Sequence, residues 1–359
     1  MPEYNVVGIM SGTSLDGLDI ALCNFKLIDN NWQFKILNAK TFEYDEFWKN
    51  KLTNASEISA FEFVKLHKEY GNFIAQLINN FLKEIEIKVD LISSHGHTVF
   101  HLPELQINFQ IGDGAIIAAK TKINTVSDFR TLDIALSGQG APLVPIGDQL
   151  LFNNFDFCLN LGGFANISFN NADNKRVAYD ICPVNMVLNE FAKTHNMDFD
   201  KDGELGKKGN VLPNLLNQLN NIEYYKKSAP KSLSKEWYIS DFKQFINLNK
   251  PGFYDNLRTV YEHIAVQISL SFENEIFEKK SIKSVLITGG GTFNNFLIEI
   301  IKTKTKAQIF IPEKQIVEYK EALIFAFLGV LRFRNEINSL ASVTGAKFDN
   351  SSGIINRIN

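Results

Sequence analysis

The chain has 359 residues, 45% of them hydrophobic and 21% charged, with a net charge of −3. That is the composition of an ordinary globular protein, long enough for two cores rather than one. The charge supplies no basic stripe of the kind nucleic acid requires, and no apolar run reaches the roughly 18 residues a membrane span needs. The N-terminal residues lack a basic stretch followed by an apolar one, so no secretory signal is expected. Cys23, Cys158 and Cys182 are widely spaced and form no CxxC pair. This argues against a disulfide framework and against a zinc site, and a cytoplasmic protein is the expectation.

In chain order, strands are expected at 6–10, 18–25 and 32–44, the last with the alternation of a half-exposed strand. Between the first two lies Gly8-Ile-Met-Ser-Gly-Thr-Ser-Leu-Asp-Gly-Leu-Asp19, a hairpin with a turn of glycine, hydroxyls and carboxylate. Small turn residues let backbone N–H groups approach a ligand, and Ser11, Thr13 and Ser14 add hydroxyl donors suited to phosphate oxygens. Asp16 and Asp19 would repel phosphate unless a divalent cation lies between. A plain surface hairpin explains the same residues equally well. Residues 59–85 carry Phe63, Leu66, Phe73, Leu77 and Phe81 at helical spacing, a core-facing amphipathic helix. A short buried strand at 89–93 leads into Ser94-His-Gly-His-Thr98.

The pattern restarts near Gly138-Gln-Gly-Ala-Pro142, as a second domain would. Strands are expected at 157–161, 167–169 and 177–179, a helix at 256–278, a buried strand at 285–288 and a last helix at 318–333. Hairpins followed by alternating strands and helices indicate mixed sheets covered by helices, an α/β protein of two lobes. The second strand–Gly–strand element, Cys158 to Ser168, repeats the first. A third, Leu286-Ile-Thr-Gly-Gly-Gly-Thr-Phe-Asn-Asn295, is a strand ending in three glycines before a helix. Such a bend lets a flat ligand pack on bare backbone, although a structural turn accounts for it as well. It is neither a P-loop nor a GxGxxG fingerprint.

In this order the three glycine elements resemble the two phosphate loops and the adenosine loop of the actin, Hsp70 and sugar-kinase superfamily. Within it, the Gly8–Asp19 segment resembles the signature of the anhydro-N-acetylmuramic acid kinases. So do His95-Gly-His-Thr98 with His101-Leu-Pro103, Asp128-Phe-Arg130, Gly138-Gln-Gly-Ala-Pro-Leu-Val-Pro145, Asn160-Leu-Gly-Gly-Phe-Ala-Asn-Ile-Ser168 and Ser342-Val-Thr-Gly-Ala346. Together they span nearly the whole chain.

The resemblance implies a two-lobed actin-like ATPase fold, each lobe a mixed ribonuclease-H-like sheet flanked by helices. The first lobe would hold residues 1–135 with 335–359, the second residues 136–334, the two closing over their substrates. It implies an ATP-dependent kinase that opens 1,6-anhydro-N-acetylmuramic acid with water and phosphorylates O6. Another sugar or carboxylate kinase of the superfamily, or a nucleotide-binding module without catalysis, are the alternatives. Asp180 occupies the family's catalytic-base position. An Asp starting a turn before Pro183 is what the residues alone suggest.

ATP would be held by Gly12, Thr13, Ser14, Asp16, Gly17, Asp19, Gly162, Gly163, Asn166, Gly289, Gly290, Gly291 and Asn294, with Mg2+ at Asp16 and Asp19, through water or directly. His95, His97, Thr98, Arg130 and Glu321 would meet the small amino sugar. Arg130's fork suits an anionic group, but an ion pair with Asp128 or Asp133 is an equal reading. Glu321, placed at the head of a helix, also suits the helix dipole. Monomer and homodimer both stay open.

The sequence departs from the family pattern in one loop. The usual Asp-Thr-Gly-Pro-Gly-Asn is here Asp180-Ile-Cys-Pro-Val-Asn185. Bulkier side chains there must be tolerated with φ below zero, or the loop must change shape. His97 replaces a usual Gln and Ser137 a usual Gly. Cys182 beside the base is expected to be buried and inert.

Overall fold

The computed structural model describes residues 2–12, 15–248, 252–274 and 282–358. The chain divides into two compact units, Met1–Leu151 with Tyr319–Asn359, and Phe152–Glu318. Residues 136–151 and 319–334, expected with the second lobe, thus cluster with the first. The contacts explain this: the buried Lys320–Asp148 ion pair (2.7 Å) and Gly147 against Ile324 join the two segments, and Gly8 against Ala322 and the Phe25–Phe327 ring contact (5.3 Å) tie them to the rest of the first unit.

The first unit is built on β1 (Glu3–Ser11), β2 (Gly17–Ile28), β3 (Asn31–Glu43), β4 (Leu91–Leu102), β5 (Ile107–Ile111), β6 (Thr125–Ser127) and β12 (Ile354–Asn356). The sheet order is β12-β6-β4-β1-β2-β3, with β5 beside β4. β1, β2 and β3 form an antiparallel meander, while β4 lies parallel to β1 and β6 parallel to β4. The second unit contains β7 (Phe157–Leu161), β8 (Phe164–Asn170), β9 (Arg176–Pro183), β10 (Ser284–Thr288) and β11 (Gln308–Phe310) in the order β11-β10-β7-β8-β9. Again three antiparallel strands come first, and parallel strands extend the sheet from the opposite side of the first. This is the ribonuclease-H-like arrangement, present in both units.

Local chemistry explains the elements. Val6, Val7 and Ile9 are buried in β1, as a central strand covered on both faces requires. The expected helix at 59–85 runs Ala60–Leu82; Ser59 accepts from the Glu62 N–H, a Ser-x-x-Glu start. Its fully buried stripe is Leu66, Tyr70, Ile74, Ile78 and Phe81, while Phe63, Phe73 and Leu77 pack part-buried at its flank. The helix expected at 256–278 is Phe253–Asn274, and its expected last residues lie outside the described ones.

Three expected boundaries moved. His95–Thr98 does not follow a strand but lies inside β4, which β1 pairs through Ser11↔His97 and β5 through Thr98↔Gln110. Asp180 lies inside β9, opposite Asn166, and not at the strand's end. The last helix is Lys314–Phe333, which starts four residues earlier than expected and is kinked at Tyr319 (φ −113°, ψ 16°), so Glu321 lies in the first turn after the kink. Ala322 to Leu331 are buried, and the helix closes onto β1 so tightly that a Cβ on Gly8 would lie 2.0 Å from the Ala322 carbonyl oxygen. Among the described residues no helix is long and apolar enough to cross a membrane.

Candidate active site

In the first unit, β1 and β2 pair up to Ser11↔Leu18. Leu15 donates back to the Gly12 carbonyl (3.4 Å) and takes a left-handed φ of 60°. Thr13 and Ser14 lie outside the described residues. Ser11 is not available to a ligand as expected. It is buried, with its hydroxyl 2.8 Å from Tyr44 Oη and 2.9 Å from His97 Nδ1, and Tyr44 in turn bonds Tyr70. Burial pushes the His97 imidazole down to about 4, so its ring is neutral at pH 7. Gly17 has a packing reason to lack a side chain, since a Cβ would meet the Phe42 carbonyl at 2.7 Å.

Asp16 is exposed in the turn, and Asp19 is half-buried on β2, accepting from Thr41 Oγ1 (2.6 Å). Tyr319 Oη lies 3.3 Å from the same Thr41 oxygen. The Glu321 carboxyl is raised by desolvation first and by the Asp19 charge second, with Arg130 and Lys320 opposing. The coupling brings Asp19, Glu321 and Arg130 into one neighbourhood. Thr98, half-buried, accepts from Gln110 (3.3 Å).

Arg130 is anchored otherwise than either sequence reading expected. Its Nε and Nη2 donate to His95 Nε2 (3.0 and 2.9 Å), and Nη1 donates to the Gly140 carbonyl (2.6 Å). Burial lowers its pKa to about 10, with Glu321 and Asp133 opposing. Asp133 is fully buried and serves as a hub. Its Oδ1 accepts from Ser339 (2.7 Å), Thr344 (2.8 Å) and Asn350 (3.0 Å), and its Oδ2 from the Gly140 N–H (2.8 Å). The two motifs at 138–145 and 342–346 are therefore halves of one carboxylate-centred knot.

In the second unit, Gly162 and Gly163 form the tip between β7 and β8. Their carbonyls accept from Asn185 N (3.1 Å), Val184 N (2.8 Å) and Met186 N (3.2 Å). Asn185 Nδ2 donates to the Leu161 carbonyl (3.0 Å), and Gly291 sits against Leu161 and Asn185. Gly289, at φ 84°, turns the chain beside Asn160, where any Cβ would lie 2.5 Å from Oδ1. The second and third glycine elements thus meet. Asn294 is engaged within the fold: Oδ1 caps the helix Asn295–Lys304 at Leu297 N, and Nδ2 donates to Tyr261 Oη (2.7 Å).

Asp180 faces this region through a polar row. Thr288, Asn160, Asn166 and Asp180 are successive lateral partners across β10, β7, β8 and β9, so their side chains share a face. Asp180 Oδ2 accepts from Leu233 N (2.8 Å), and its backbone is held by Lys231 O (3.3 Å) and Tyr224 Oη (2.6 Å). Burial raises its carboxyl above the ordinary aspartate value, against the Leu233 N–H. Oδ1 has no protein partner among the described residues, which leaves one oriented lone-pair face. Tyr224, Lys231 and Leu233 belong to no recognised motif, because two of the three act through backbone atoms. Cys182 is buried, and its thiol is pushed up by desolvation.

A sequence model of the family described as anhydro-N-acetylmuramic acid kinase matches residues 4–357. The chain belongs to the anhydro-N-acetylmuramic acid kinase family. Curated proteins of that name from Francisella tularensis subsp. novicida and Caldanaerobacter subterraneus subsp. tengcongensis are 34% and 32% identical to it. These alignments cover 100% and 96% of this chain, and 100% and 95% of the relatives. Among solved structures, gluconate kinase from Lactobacillus acidophilus covers 92% of this chain and 90% of its own at 12% identity, with a TM-score of 0.48.

Proposed function

We propose that this member of the kinase family uses ATP to convert 1,6-anhydro-N-acetylmuramic acid and water into N-acetylmuramic acid 6-phosphate and ADP. Asp180 carries the reading: a raised carboxyl with one oxygen fixed by a backbone N–H and the other open is the arrangement a general base needs. Asp180 takes a proton from water as the water oxygen bonds the anomeric carbon. The bond from that carbon to O6 breaks, and O6 then takes the γ-phosphoryl group as ADP leaves.

The remaining roles follow the chemistry of each segment. Residues 12–17 and 162–163 are assigned to the phosphates, Asn166 lies beside Asp180, and Gly289–Gly291 offer bare backbone to the nucleoside. Arg130 keeps two of its five N–H donors beyond those bonded to His95 and Gly140, which suits the lactyl carboxylate or the reacting oxygens. Thr98 and Glu321 are assigned to the sugar. Asp16 and Asp19 are hard oxygen donors on one hairpin, a set that fits Mg2+ shared with phosphates and water. When bound, Mg2+ would neutralise charge on the transferring phosphate. The need for ATP supports a cytoplasmic site of action.

An ADP-release assay with the anhydro sugar, run beside Asp180→Asn, tests this. The variant should lose about 10²–10⁴-fold in rate. In the wild type, kcat/KM should fall with acid below an inflection above aspartate's ordinary 3.8, because the base must be unprotonated. Full activity of Asp180→Asn would remove the base assignment, and activity on N-acetylmuramic acid but not on its anhydro form would sink ring opening.

A further inference from the structure

We propose that His95 is a positioning residue for Arg130: a neutral imidazole that aims the guanidinium and does not itself meet substrate. The hydrogen bonds fix its tautomer. Nδ1 lies 2.9 Å from the Gly96 carbonyl, which only accepts, so Nδ1 carries the proton. Gly96 can turn that carbonyl back because it sits at φ 74°, where a Cβ would also strike the Ile111 carbonyl at 2.5 Å. Nε2 is then a lone pair, and it receives both Nε–H and Nη2–H of Arg130. Both ring nitrogens are occupied within the protein, which leaves His95 no proton to give and no lone pair to offer a ligand.

The same geometry favours the neutral ring. Burial and the adjacent Arg130 charge hold the imidazole well below its ordinary range. A protonated ring would turn Nε2 into a donor facing two donors. The ring is fixed from one side by the Phe325 ring, 4.6 Å between centroids. Arg130 is fixed from a second direction by the Gly140 carbonyl, itself set by Asp133. The guanidinium is therefore held at two edges, and its two remaining N–H donors point where His95 and Gly140 dictate. Misplacing such a group by about 1 Å costs on the order of 10²-fold in rate.

This rests on the reading that Arg130 meets the sugar or the reacting oxygens, and a double-mutant cycle separates the two ideas. Activity on the anhydro sugar is measured for wild type, His95→Leu, Arg130→Ala and the pair, with thermal unfolding of each. His95→Leu should lower kcat/KM by roughly 10–100-fold, and in the Arg130→Ala background it should have no further effect. His95→Gln, which keeps an acceptor oxygen, should recover most of the loss, and it carries the test should the leucine variant fail to fold. Additive losses would overturn the proposal, because His95 would then act independently of Arg130. So would a Gln variant that folds as wild type yet is as impaired as Leu. Wild-type kcat/KM in Arg130→Ala would remove Arg130 from the reaction, and this proposal with it, while leaving Asp180 as the base.

Discussion

Asp133 makes the sharpest stability prediction. Its carboxylate is fully buried and takes four hydrogen bonds, three on Oδ1 and one on Oδ2. Asp133→Ala leaves the Gly140, Ser339 and Asn350 donors without an acceptor, turns Thr344 to the Leu340 carbonyl (3.3 Å), and strands the nearby Arg130 charge. Breaking a buried charged network of this kind costs roughly 3–5 kcal/mol. For a body of this size each kcal/mol moves Tm by ~2–4 °C, so a loss of roughly 6–20 °C follows. Asp133→Asn should fall between: its oxygen serves the Oδ1 side, but its amide then faces the Gly140 N–H, donor against donor, at about 1–3 kcal/mol. Calorimetry reads the transition, and amide exchange at Gly140 reads the local release. Because Gly140 also holds Arg130, kcat/KM should drop in the folded Asn variant. An Ala variant that loses less than ~1 kcal/mol, or an Asn variant worse than Ala, would refute the hub.

Two further outcomes follow from packing and protonation. Gly8→Ala places a Cβ 2.0 Å from the Ala322 carbonyl and 2.7 Å from Ala326 Cβ, backbone and short side chain that cannot swing away. The cost should reach or exceed the ~1–3 kcal/mol of ordinary overpacking, and an unchanged urea midpoint would sink the close approach. His263 is buried between Asn220 and Tyr225, and burial lowers its pKa to about 3 from 6.5. The unfolded chain therefore binds a proton that the folded one refuses. The resulting stability is intact above pH 6.5 and is lost as pH falls toward 3, at up to about 1.4 kcal/mol per unit. His263→Gln should flatten that acid slope, and an unaltered slope would place the titration elsewhere.

What the sequence revealed depended on how local each feature is. The three glycine elements could be read because each strand, its glycine turn and the strand or helix that follows lie within a dozen residues. The Asp133 hub could not, since its side-chain partners stand 206, 211 and 217 residues away and each is an ordinary Ser, Thr or Asn. Tyr224, Lys231 and Leu233 around Asp180 were hidden for a different reason: a backbone N–H or carbonyl carries no residue signature. The strand expected at 89–93 stopped short of His95–Thr98, because the pairing to β1 and β5 that carries β4 through this segment comes from residues distant in sequence. His97 and Ser11, read as separate ligand groups, turned out to bond each other because β1 and β4 bring them into register.

The departure at residues 181–184 can now be weighed against its surroundings. Ile181, Cys182 and Val184 are all buried in the core of the second unit. A register shift between Ala165 and Asn166 leaves Ile181 without a lateral partner, and Val184 reaches the helix start at φ −125° and ψ −92°. None of the three adopts positive φ, so no glycine conformation is required here. The side chains fill space next to β8, and the Gly163 carbonyl still gathers the Val184 and Met186 N–H groups. Val184→Gly, which restores the usual family residue, should therefore lose buried apolar surface worth ~1.5–3 kcal/mol, plus ~0.5–1 kcal/mol of chain entropy, with no gain in turnover. Chemical denaturation and ADP release on one preparation decide it. A variant with unchanged stability and faster turnover would show that the bulkier loop restrains Asp180 and does not merely pack beneath it.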